Sequence, residues 1–379
     1  MNNKFSLVFI FLFLFGIISL YGNYINAERV KRSVDVKSIP KFTSNFNYYI
    51  DKAIKLTKDI DTAFKHIWHY TCFEFTKHED YPDKNGMVFR YSKNESYFTY
   101  AFNKRLAYVY LNDECLKNTG CVKHYIAFAF GLQPEINRYD RGKYVEMLWD
   151  NLEDDGKSFY KREDGTKTRI LNTAFDFGSI MMPSQSYKAK KGKKAFNILA
   201  EPEYENMVGQ RGEFSHNDLK KLNDMYCGNR CVKKLKGCKN GGYPNPDCGK
   251  CLCPNGYTGK FCTQTQKGFG KCANLWLKAT KKVKKLSIKG IAKCYISITS
   301  KPGTKVAIHV VNGLTLDKKP CNDNTGLEIK YRHDRGSTGL CLCGSFKNVT
   351  IIPTFSQALL IYYGDRDNNY VNLEYHEYK

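Results

Sequence analysis

The sequence predicts a multidomain chain made of an α+β domain, a small disulfide-rich module and an all-β sandwich. Its 379 residues allow two or three domains, and the first is large enough to bury a core. Six cysteines crowd into residues 231–262, and alternating apolar runs separated by Gly, Asp and Asn turns follow from about residue 264. These shifts in cysteine spacing and in periodicity divide the chain into its three parts.

The N-terminal segment has the composition of a secretory signal. Residues 5–27 carry no charge, follow Lys4 and end in Ile25-Asn26-Ala27, which supplies a small residue for cleavage. We therefore expect a signal peptide over 1–27 and a secreted, extracellular protein with no membrane association after cleavage. The alternative is an uncleaved anchor, because the stretch is long enough to span a bilayer. Residues 28–32 form a short basic segment, and Arg29-Val-Lys-Arg32 resembles a furin-type processing site.

Local patterns after this segment indicate helices and strands in an α+β arrangement. The pattern predicts a helix over 52–70, strands over 87–91, 97–102 and 106–111, and a helix over 120–130. The apolar run from Tyr125 to Phe130 is typical of a helix buried between two lobes. Ser215 and Asp218 predict a capping box at the start of a last helix that ends at Cys227.

The segment 124–134 resembles the metzincin motif HExxHxxGxxH. In that motif three imidazoles bind one Zn²⁺, and the Glu polarises the metal-bound water. Histidines at i and i+4 share one helix face, and the Gly ends the helix so that the returning chain supplies the third ligand. His124 and Gly131 are present here. The Glu and the other two His are replaced by Tyr125, Phe128 and Pro134.

Two further motifs make the resemblance specific to the astacin family. The segment 131–145 resembles the signature GFxHExxRxDRDxYV and retains Gly131, Glu135, Arg138, Asp140, Arg141, Tyr144 and Val145. The segment 175–183 is similar to the astacin Met-turn YDYxSIMHY, which implies that Met181 lies beneath the metal position. Met182 and Pro183 replace the His and the Tyr of that turn, and the Tyr is an additional metal ligand in the family. The resemblance implies a two-lobed α+β astacin-like domain over 33–227.

This resemblance implies a zinc metalloendopeptidase, but the substitutions predict lost activity. His124 is the only expected metal ligand, and no catalytic residue is intact because Tyr125 holds the general-base position. Loss of the base alone typically costs about 10²–10⁴ in rate. In the family Glu135 pairs with the mature N-terminus, so it does not replace the base. We expect no cofactor and a non-catalytic protein that binds peptides or other extracellular proteins. The alternative is an active zinc endopeptidase.

Fifteen cysteines in a secreted chain indicate a disulfide framework with one thiol left over. The astacin resemblance implies Cys72–Cys227. Cys115 lacks the upstream partner of the family's second bridge, so we predict a local Cys115–Cys121 bridge; the alternative is two unpaired thiols. Residues 228–263 resemble an EGF-like module, which implies the pairs Cys231–Cys248, Cys238–Cys251 and Cys253–Cys262.

Residues 264–379 resemble a CUB domain. Apolar alternation over 293–299, 305–311 and 358–363 predicts strands of a β-sandwich. The resemblance implies the bridges Cys272–Cys294 and Cys321–Cys343, with Cys341 as the odd thiol, although Cys341 and Cys343 could exchange roles. The acidic residues that hold calcium in some CUB domains are not evident. Asn94 and Asn348 begin glycosylation motifs and are expected in surface turns.

The formal charge of +23 is concentrated in two clusters, at 188–194 and 278–285. Such clusters can concentrate anionic partners such as sulfated glycans or acidic proteins, and for an extracellular protein we expect no nucleic-acid partner. The competing interpretation is that these lysines only keep exposed loops solvated. A further alternative assigns all binding to the EGF-like and CUB-like parts and leaves the protease-like domain as a spacer.

Overall fold

The computed structural model describes residues 39–164, 173–228, 230–231, 235, 237–272 and 275–379. The predicted signal peptide (1–27) and processing segment (28–32) lie outside the described residues. The α+β, disulfide-rich and all-β architecture predicted from the sequence is confirmed. In the described part of the chain, no helix has both the length and the apolar character needed to cross a bilayer.

The upper lobe of the α+β part is built on a five-stranded sheet in the order β2-β1-β3-β5-β4. The strands are β1 Asn45–Ile50, β2 Glu74–His78, β3 Gly86–Tyr91, β4 Tyr97–Ala101 and β5 Leu106–Leu111. All neighbours run parallel except β4, which pairs antiparallel with β5. Strand β4 is therefore an edge strand. The helices of this lobe are α1 Lys58–Tyr70, α2 Asp113–Leu116 and α3 Thr119–Ala129.

The lower lobe has little regular structure. It holds helices α4 Asp154–Phe159 and α5 His216–Tyr226 and the strand pair β6 Val145–Met147 and β7 Phe196–Ile198. Short 3₁₀ helices cover Phe102–Lys104 in the upper lobe and Glu135–Asn137, Arg141–Lys143, Trp149–Asn151 and Pro202–Asn206 in the lower. The predicted capping box of α5 is confirmed, since Ser215 Oγ accepts from Asp218 N at 3.1 Å and Asp218 Oδ2 accepts from Ser215 N at 3.0 Å.

Several predicted boundaries differ from the structure, among them those of α1, α3 and β4. Helix α1 starts at Lys58 and not at Lys52, because Asp51 Oδ1 accepts from Ala53 N at 2.9 Å in a local turn that competes with a helix. Helix α3 is shifted by one residue from the predicted 120–130. Strand β4 ends at Ala101 because Phe102 begins a 3₁₀ turn.

The disulfide-rich module contains two short hairpins. Strands β8 Tyr243–Pro244 and β9 Cys251–Leu252 form one, and β10 Tyr257–Thr258 and β11 Gln264–Thr265 form the other. The module packs on both of its neighbours. Tyr243 belongs to the apolar core of the upper lobe, while Tyr257 packs with Leu359 and Ile361 of the last domain.

Two antiparallel sheets, apart from one parallel pair, form the last domain. One has the strands β12 Phe269–Gly270, β13 Leu275–Lys278, β15 Ala292–Thr299, β17 Gly326–Lys330, β18 Leu340–Leu342 and β20 Gln357–Gly364. The other has β14 Lys284–Lys289, β16 Lys305–Leu314, β19 Ser345–Ile351 and β21 Tyr370–Tyr378. Strand β13 runs parallel to β15. Apolar side chains such as Ile296, Val310 and Leu373 fill the space between the sheets, as in a sandwich.

The sandwich and the lower lobe share one apolar core. Buried side chains from both, among them Phe177, Tyr204, Met207 and Leu340, belong to a single contact cluster. Hydrogen bonds cross the same seam: Thr338 N donates to Asp176 Oδ1 at 3.1 Å, and Cys321 N donates to Asn206 O at 2.7 Å. The two parts are therefore packed together as tightly as elements of one domain.

Seven disulfides join described cysteines, and they are the same seven pairs that the sequence predicts. Cys115–Cys121 lies within the upper lobe, and Cys72–Cys227 joins the upper lobe to the end of α5. The others are Cys231–Cys248, Cys238–Cys251, Cys253–Cys262, Cys272–Cys294 and Cys321–Cys343. Cys341 is unpaired and buried. Asn94 and Asn348 are both exposed, but Asn348 lies within β19 at a positive φ of 56° and not in a turn.

Candidate functional site

Helix α3 carries the centre of the candidate site, and its start is fixed by side-chain caps. Asn118 Oδ1 accepts from Cys121 N at 3.0 Å, and Asn112 Oδ1 accepts from Cys115 N at 3.0 Å at the start of α2. Each cap satisfies a backbone donor that the helix leaves unpaired. The Cys115–Cys121 disulfide then joins the first turn of α3 to α2.

Gly131 ends α3 and turns the chain beneath the helix. Gly131 N donates to Phe128 O at 2.8 Å and Leu132 N to Ala127 O at 3.0 Å, which is the hydrogen-bond pattern of a Schellman motif. Gly131 has a φ of 92°, and a Cβ there would lie 2.3 Å from Ile39 Cδ1. Only glycine fits this turn, so the residue predicted from the motif performs the expected structural role.

His124 lies on α3 above the Met-turn. Its ring Nδ1 is 3.0 Å from the carbonyl oxygen of Ile180, which makes Nδ1 the donor. Met181, at 2% exposure, sits directly after Ile180, and its carbonyl accepts from Glu135 N at 3.2 Å. The turn is held from below by Asp218, which accepts from Ser179 Oγ at 2.6 Å and from Ile180 N at 2.9 Å. Burial raises the pKa of the Asp218 carboxyl.

Apolar side chains occupy the other positions where the motif places metal ligands. Phe128 is 5% exposed, and its ring lies 4.8 Å from that of Phe98 on β4 and 5.8 Å from that of His124. Pro134 and Pro183 are buried as well. Across the residues that the structure describes, no group of three His, Cys, Asp or Glu side chains is arranged to hold a metal ion. The side chains at these positions do not fit the three protein ligands that a catalytic zinc ion takes.

Tyr125 stands where the motif has its general base. Its ring centroid is 5.3 Å from that of His124, and the side chain is partly buried. The side chain at this position is therefore a phenol in place of the carboxylate of the motif.

Glu135 is buried and surrounded by cations and N–H groups. Its Oε1 accepts from Arg138 Nη1 at 3.2 Å and from Asp176 N at 3.0 Å, and its Oε2 contacts the ammonium of Lys221 on α5. Glu135 is 1% exposed and Lys221 is 12% exposed. Both oxygens of the carboxylate therefore have partners within the lower lobe, and they join Glu135 to α5.

The remaining signature residues also hold the fold. Arg138 Nε and Nη2 donate to the two carboxylate oxygens of Asp140, each at 2.9 Å. Burial alone would lower the pKa of Arg138, but Asp140 and Glu135 raise it above its usual value. Arg141 donates to the carbonyl oxygen of Ile136 at 2.9 Å, and burial and then Arg162 lower its pKa to about 10.

Buried acid groups connect the Met-turn to the sandwich. Asp176 Oδ1 accepts from Gly178 N at 3.0 Å as well as from Thr338 N. Burial, followed by repulsion from Asp218 and Glu135, raises the pKa of Asp176 to about 6. The base of the candidate site is thus attached directly to the C-terminal domain.

Sequence reasoning did not identify several residues around the site. Lys123 is 2% exposed and donates to Glu213 Oε2, and His66 Nδ1 lies 3.1 Å from the same oxygen. Burial would raise the pKa of Glu213, but His66 and Lys123 lower it to about 2. Arg211 Nη1 donates to the carbonyl oxygen of Met182 at 3.1 Å. The sequence did contain one signal for the contact with Glu213: Lys123 is a charged residue inside an apolar helix, and such a residue needs a partner.

Comparisons with known proteins agree with the motifs. The family model Astacin, which describes a family of peptidases, matches residues 37–227, half of the 379-residue chain. Zinc metalloproteinase dpy-31 of Brugia malayi is 28% identical over 349 residues, which cover 84% of this chain and 55% of the relative. Zinc metalloproteinase nas-34 of Caenorhabditis elegans is 28% identical over 349 residues, covering 90% and 57%. The chain thus spans little more than half the length of these relatives.

Two solved structures were also matched. High choriolytic enzyme 1 of Oryzias latipes, a hatching enzyme zinc-protease, has 22% identity and a TM-score of 0.44, covering 50% of this chain and 94% of that one. The CUB1-EGF-CUB2 domain of human MASP-1/3 has 17% identity and a TM-score of 0.24, covering 39% and 57%. From the family model over residues 37–227 we conclude that this chain belongs to the astacin family of metallopeptidases.

Proposed function

We propose that this chain is a secreted, non-catalytic astacin homologue that binds extended peptides in the cleft beside α3. One observation carries the proposal: Phe128 stands at the second ligand position, is 5% exposed and packs against Phe98 of the edge strand. The phenyl ring of Phe128 has no lone pair with which to coordinate zinc, and Pro134 removes a further ligand. The disulfides require an oxidising compartment, which supports the extracellular location.

The edge strand β4 offers a place for the peptide. It is the last strand of the five-stranded sheet, and all five of its residues are partly exposed. Unpaired N–H and C=O groups on such an edge bind an extended peptide as one more strand. Phe98 and Tyr100 then provide apolar surface for its side chains, and Tyr100 OH is fixed by a 2.9 Å hydrogen bond to the carbonyl of Ala129 on α3.

Metal analysis and a cleavage assay test the loss of catalysis. We expect the purified full chain to hold far less than one zinc ion per molecule after dialysis against zinc. We also expect no chelator-sensitive cleavage of casein or of fluorogenic peptides. The matched gain-of-site variant is Tyr125→Glu/Phe128→His/Pro134→His, which should retain zinc. Stoichiometric zinc with chelator-sensitive cleavage by the natural chain would instead establish the alternative, a working endopeptidase.

Hydrogen–deuterium exchange tests the peptide groove. We expect a tryptic digest of casein, in excess, to slow amide exchange in β4 (Tyr97–Ala101), because new strand pairing protects its N–H groups. Strand β2 (Glu74–His78) is the opposite edge of the same sheet and serves as the internal control. Equal exchange of β4 with and without peptides, or equal protection of both edges, would refute the groove.

We further propose that the second lysine cluster is the one available to anionic glycans. In the first cluster Lys188 contacts Asp155, and Lys194 Nζ lies 2.7 Å from Glu205 Oε2. In the second, Lys285 is 84% exposed and lies 3.6 Å from Glu374. Salt-dependent retention on heparin that falls in Lys281→Gln/Lys285→Gln, but not in Lys188→Gln/Lys194→Gln, would support this assignment. Equal retention of both variants would contradict it.

A further inference from the structure

A cavity of about 610 Å³ lies between the lower lobe and the sandwich, and no residue of α3 lines it. The lower lobe contributes Tyr144 and Phe177, and the sandwich contributes Tyr331, Ile352 and Phe355. A concave space of this size with aromatic walls is typical of small-ligand sites in proteins, which often lie between domains. Three of its residues, Lys143, Tyr144 and Phe177, lie in the segments that resemble the zinc-protease motifs, and the rings of the last two form part of the cavity wall.

A cationic side chain lies in this aromatic cavity. The guanidinium carbon of Arg332 is 5.1 Å from the ring centre of Tyr144 and 5.7 Å from that of Phe177. Its Nη1 atom is buried and has no hydrogen-bond partner in the part of the chain that the structure describes. A buried guanidinium N–H without an acceptor costs free energy, so an acceptor that arrived from outside would be bound favourably.

The carboxylates nearest to the cavity are already engaged. Glu201 accepts from Ile352 N at 3.0 Å and from the hydroxyl of Tyr331. Asp334 accepts from Ala174 N at 2.8 Å and from Asn217 Nδ2 at 3.0 Å through one oxygen, and from Gly336 N at 2.8 Å through the other. Glu201 thus joins the lower lobe to the sandwich. Asp334 joins the sandwich to the lower lobe through one oxygen and holds its own loop through the other. The group in the cavity wall that is left to form a new hydrogen bond is therefore a cation, the guanidinium of Arg332.

We propose that this cavity binds an apolar carboxylate, meaning an acid group carried on an aromatic or aliphatic body. The body would pack between the rings of Tyr144 and Phe355, and the acid would accept hydrogen bonds from Arg332. Lys143 also lines the cavity, and the two carboxylates in its wall, Glu201 and Asp334, are occupied by the donors named above. The site is separate from the cleft, and it stands whether or not the proposed peptide groove does. The acid is either a free small molecule or the C-terminus of a peptide, since both present the same chemistry.

Calorimetric titration of the full chain with two matched probes tests the site. The probes are N-acetyl-L-phenylalanine, which carries the carboxylate, and N-acetyl-L-phenylalaninamide, which does not. We expect the acid to bind roughly tenfold more tightly, the usual effect of a charge-assisted hydrogen bond. In Arg332→Gln, the affinity for the acid should fall to that for the amide, while the affinity for the amide should stay unchanged. A peptide ending in phenylalanine, as free acid and as amide, then distinguishes a peptide terminus from a small acid.

Two further variants keep the test decisive if Arg332→Gln folds poorly. Thr354 is exposed at the cavity, so Thr354→Trp should fill the space and block both probes without changing the guanidinium. Lys285→Gln, on the remote lysine cluster, should leave both affinities unchanged. Equal affinity for acid and amide, acid binding that survives in Thr354→Trp, or no binding of the acid at millimolar concentration would overturn the proposal.

Discussion

The ammonium of Lys221, on the last helix of the astacin-like part, contacts the carboxylate of Glu135, which directly follows the degenerate ligand Pro134. Arg138 lies 3.2 Å from the other carboxylate oxygen, so the buried acid has a cation on each side. In the astacin family, which the sequence resembles, the acid at this position pairs with the processed N-terminus. Here a side chain of the chain itself supplies a positive charge to Glu135.

Lys221→Met should lower the free energy of unfolding by about 2–3 kcal/mol, because a buried charge loses one of its counter-ions while Arg138 remains. Urea unfolding measures the change. The matched control is Lys220→Met, whose side chain pairs with Asp224 one turn along α5; we expect it to cost less than about 1 kcal/mol. Equal costs for the two lysines would show that pairing with the buried Glu135 contributes no more than pairing with the more exposed Asp224.

Phe128→Ala should lower stability by about 3–5 kcal/mol, since it leaves a cavity between α3 and β4 where Phe128 meets Phe98. Phe128→Leu keeps most of the volume and should cost under about 1.5 kcal/mol. Thermal and urea unfolding of both variants check the values. If alanine were tolerated as well as leucine, the ring would not be a packing element, and the interpretation of this position as filled core would be wrong.

Acidification should destabilise the protein through His216. Its Nε2 donates to the carbonyl oxygen of Gly241 at 2.9 Å, and burial lowers its pKa from 6.5 to about 4, with Lys330 and Lys220 acting in the same direction. Between these values the unfolded chain binds more protons than the folded one, so the stability present above pH 6.5 is lost towards pH 4. The loss should reach about 2–3 kcal/mol.

Urea unfolding from pH 7 to pH 4 of the natural chain and of His216→Gln isolates this contribution. Asp176 acts with the opposite sign, because its raised pKa of about 6 makes the folded state bind the extra proton. The difference between the two proteins therefore reports His216 alone. A pH dependence that is the same in both would contradict the prediction.

The two disulfides of the astacin-like part should differ in strength of stabilisation. Cys72 and Cys227 are 155 positions apart, whereas Cys115 and Cys121 are 6 apart. Chain entropy predicts a cost of about 5 kcal/mol for removing the long bridge and about 2 kcal/mol for removing the short one. Pairwise alanine variants, compared by urea unfolding, test this order. A short bridge that matters as much as the long one would indicate that Cys115–Cys121 acts by positioning α3 and not through the unfolded state.

Structural features that depend on residues a short distance apart in the chain could be predicted from the sequence. The disulfide pairs of the small module, the α5 capping box and the Gly131 turn all involve motifs of fixed spacing, and the structure has them where expected. The pair Cys72–Cys227 followed instead from the resemblance to the astacin family, because 155 positions separate its members. Strands β1 and β2 were not predicted as strands, because their parallel pairing joins residues far apart and β2 is mostly exposed. The ligand substitutions at Phe128 and Pro134 were visible in the sequence alone, because the spacing of the motif assigns each position its role.

Contacts between domains could not be predicted from sequence patterns. The hydrogen bond from Thr338 to Asp176 joins residues 162 positions apart, and Ile352 and Glu201 are 151 positions apart. No periodicity relates such residues, so the cavity around Arg332 could not be anticipated. Lys221 was likewise invisible as the partner of Glu135, since 86 positions separate them.

The apolar core shared by the lower lobe and the sandwich has a practical consequence for anyone who wishes to cut this protein into pieces. A fragment that stopped before residue 264 would leave Phe177, Tyr204 and Met207 facing water along the former seam. Such fragments tend to aggregate, and their loss of binding would report misfolding and not the removal of a recognition module. Dissection by point substitution at the seam is therefore the sounder route to assigning roles to each part.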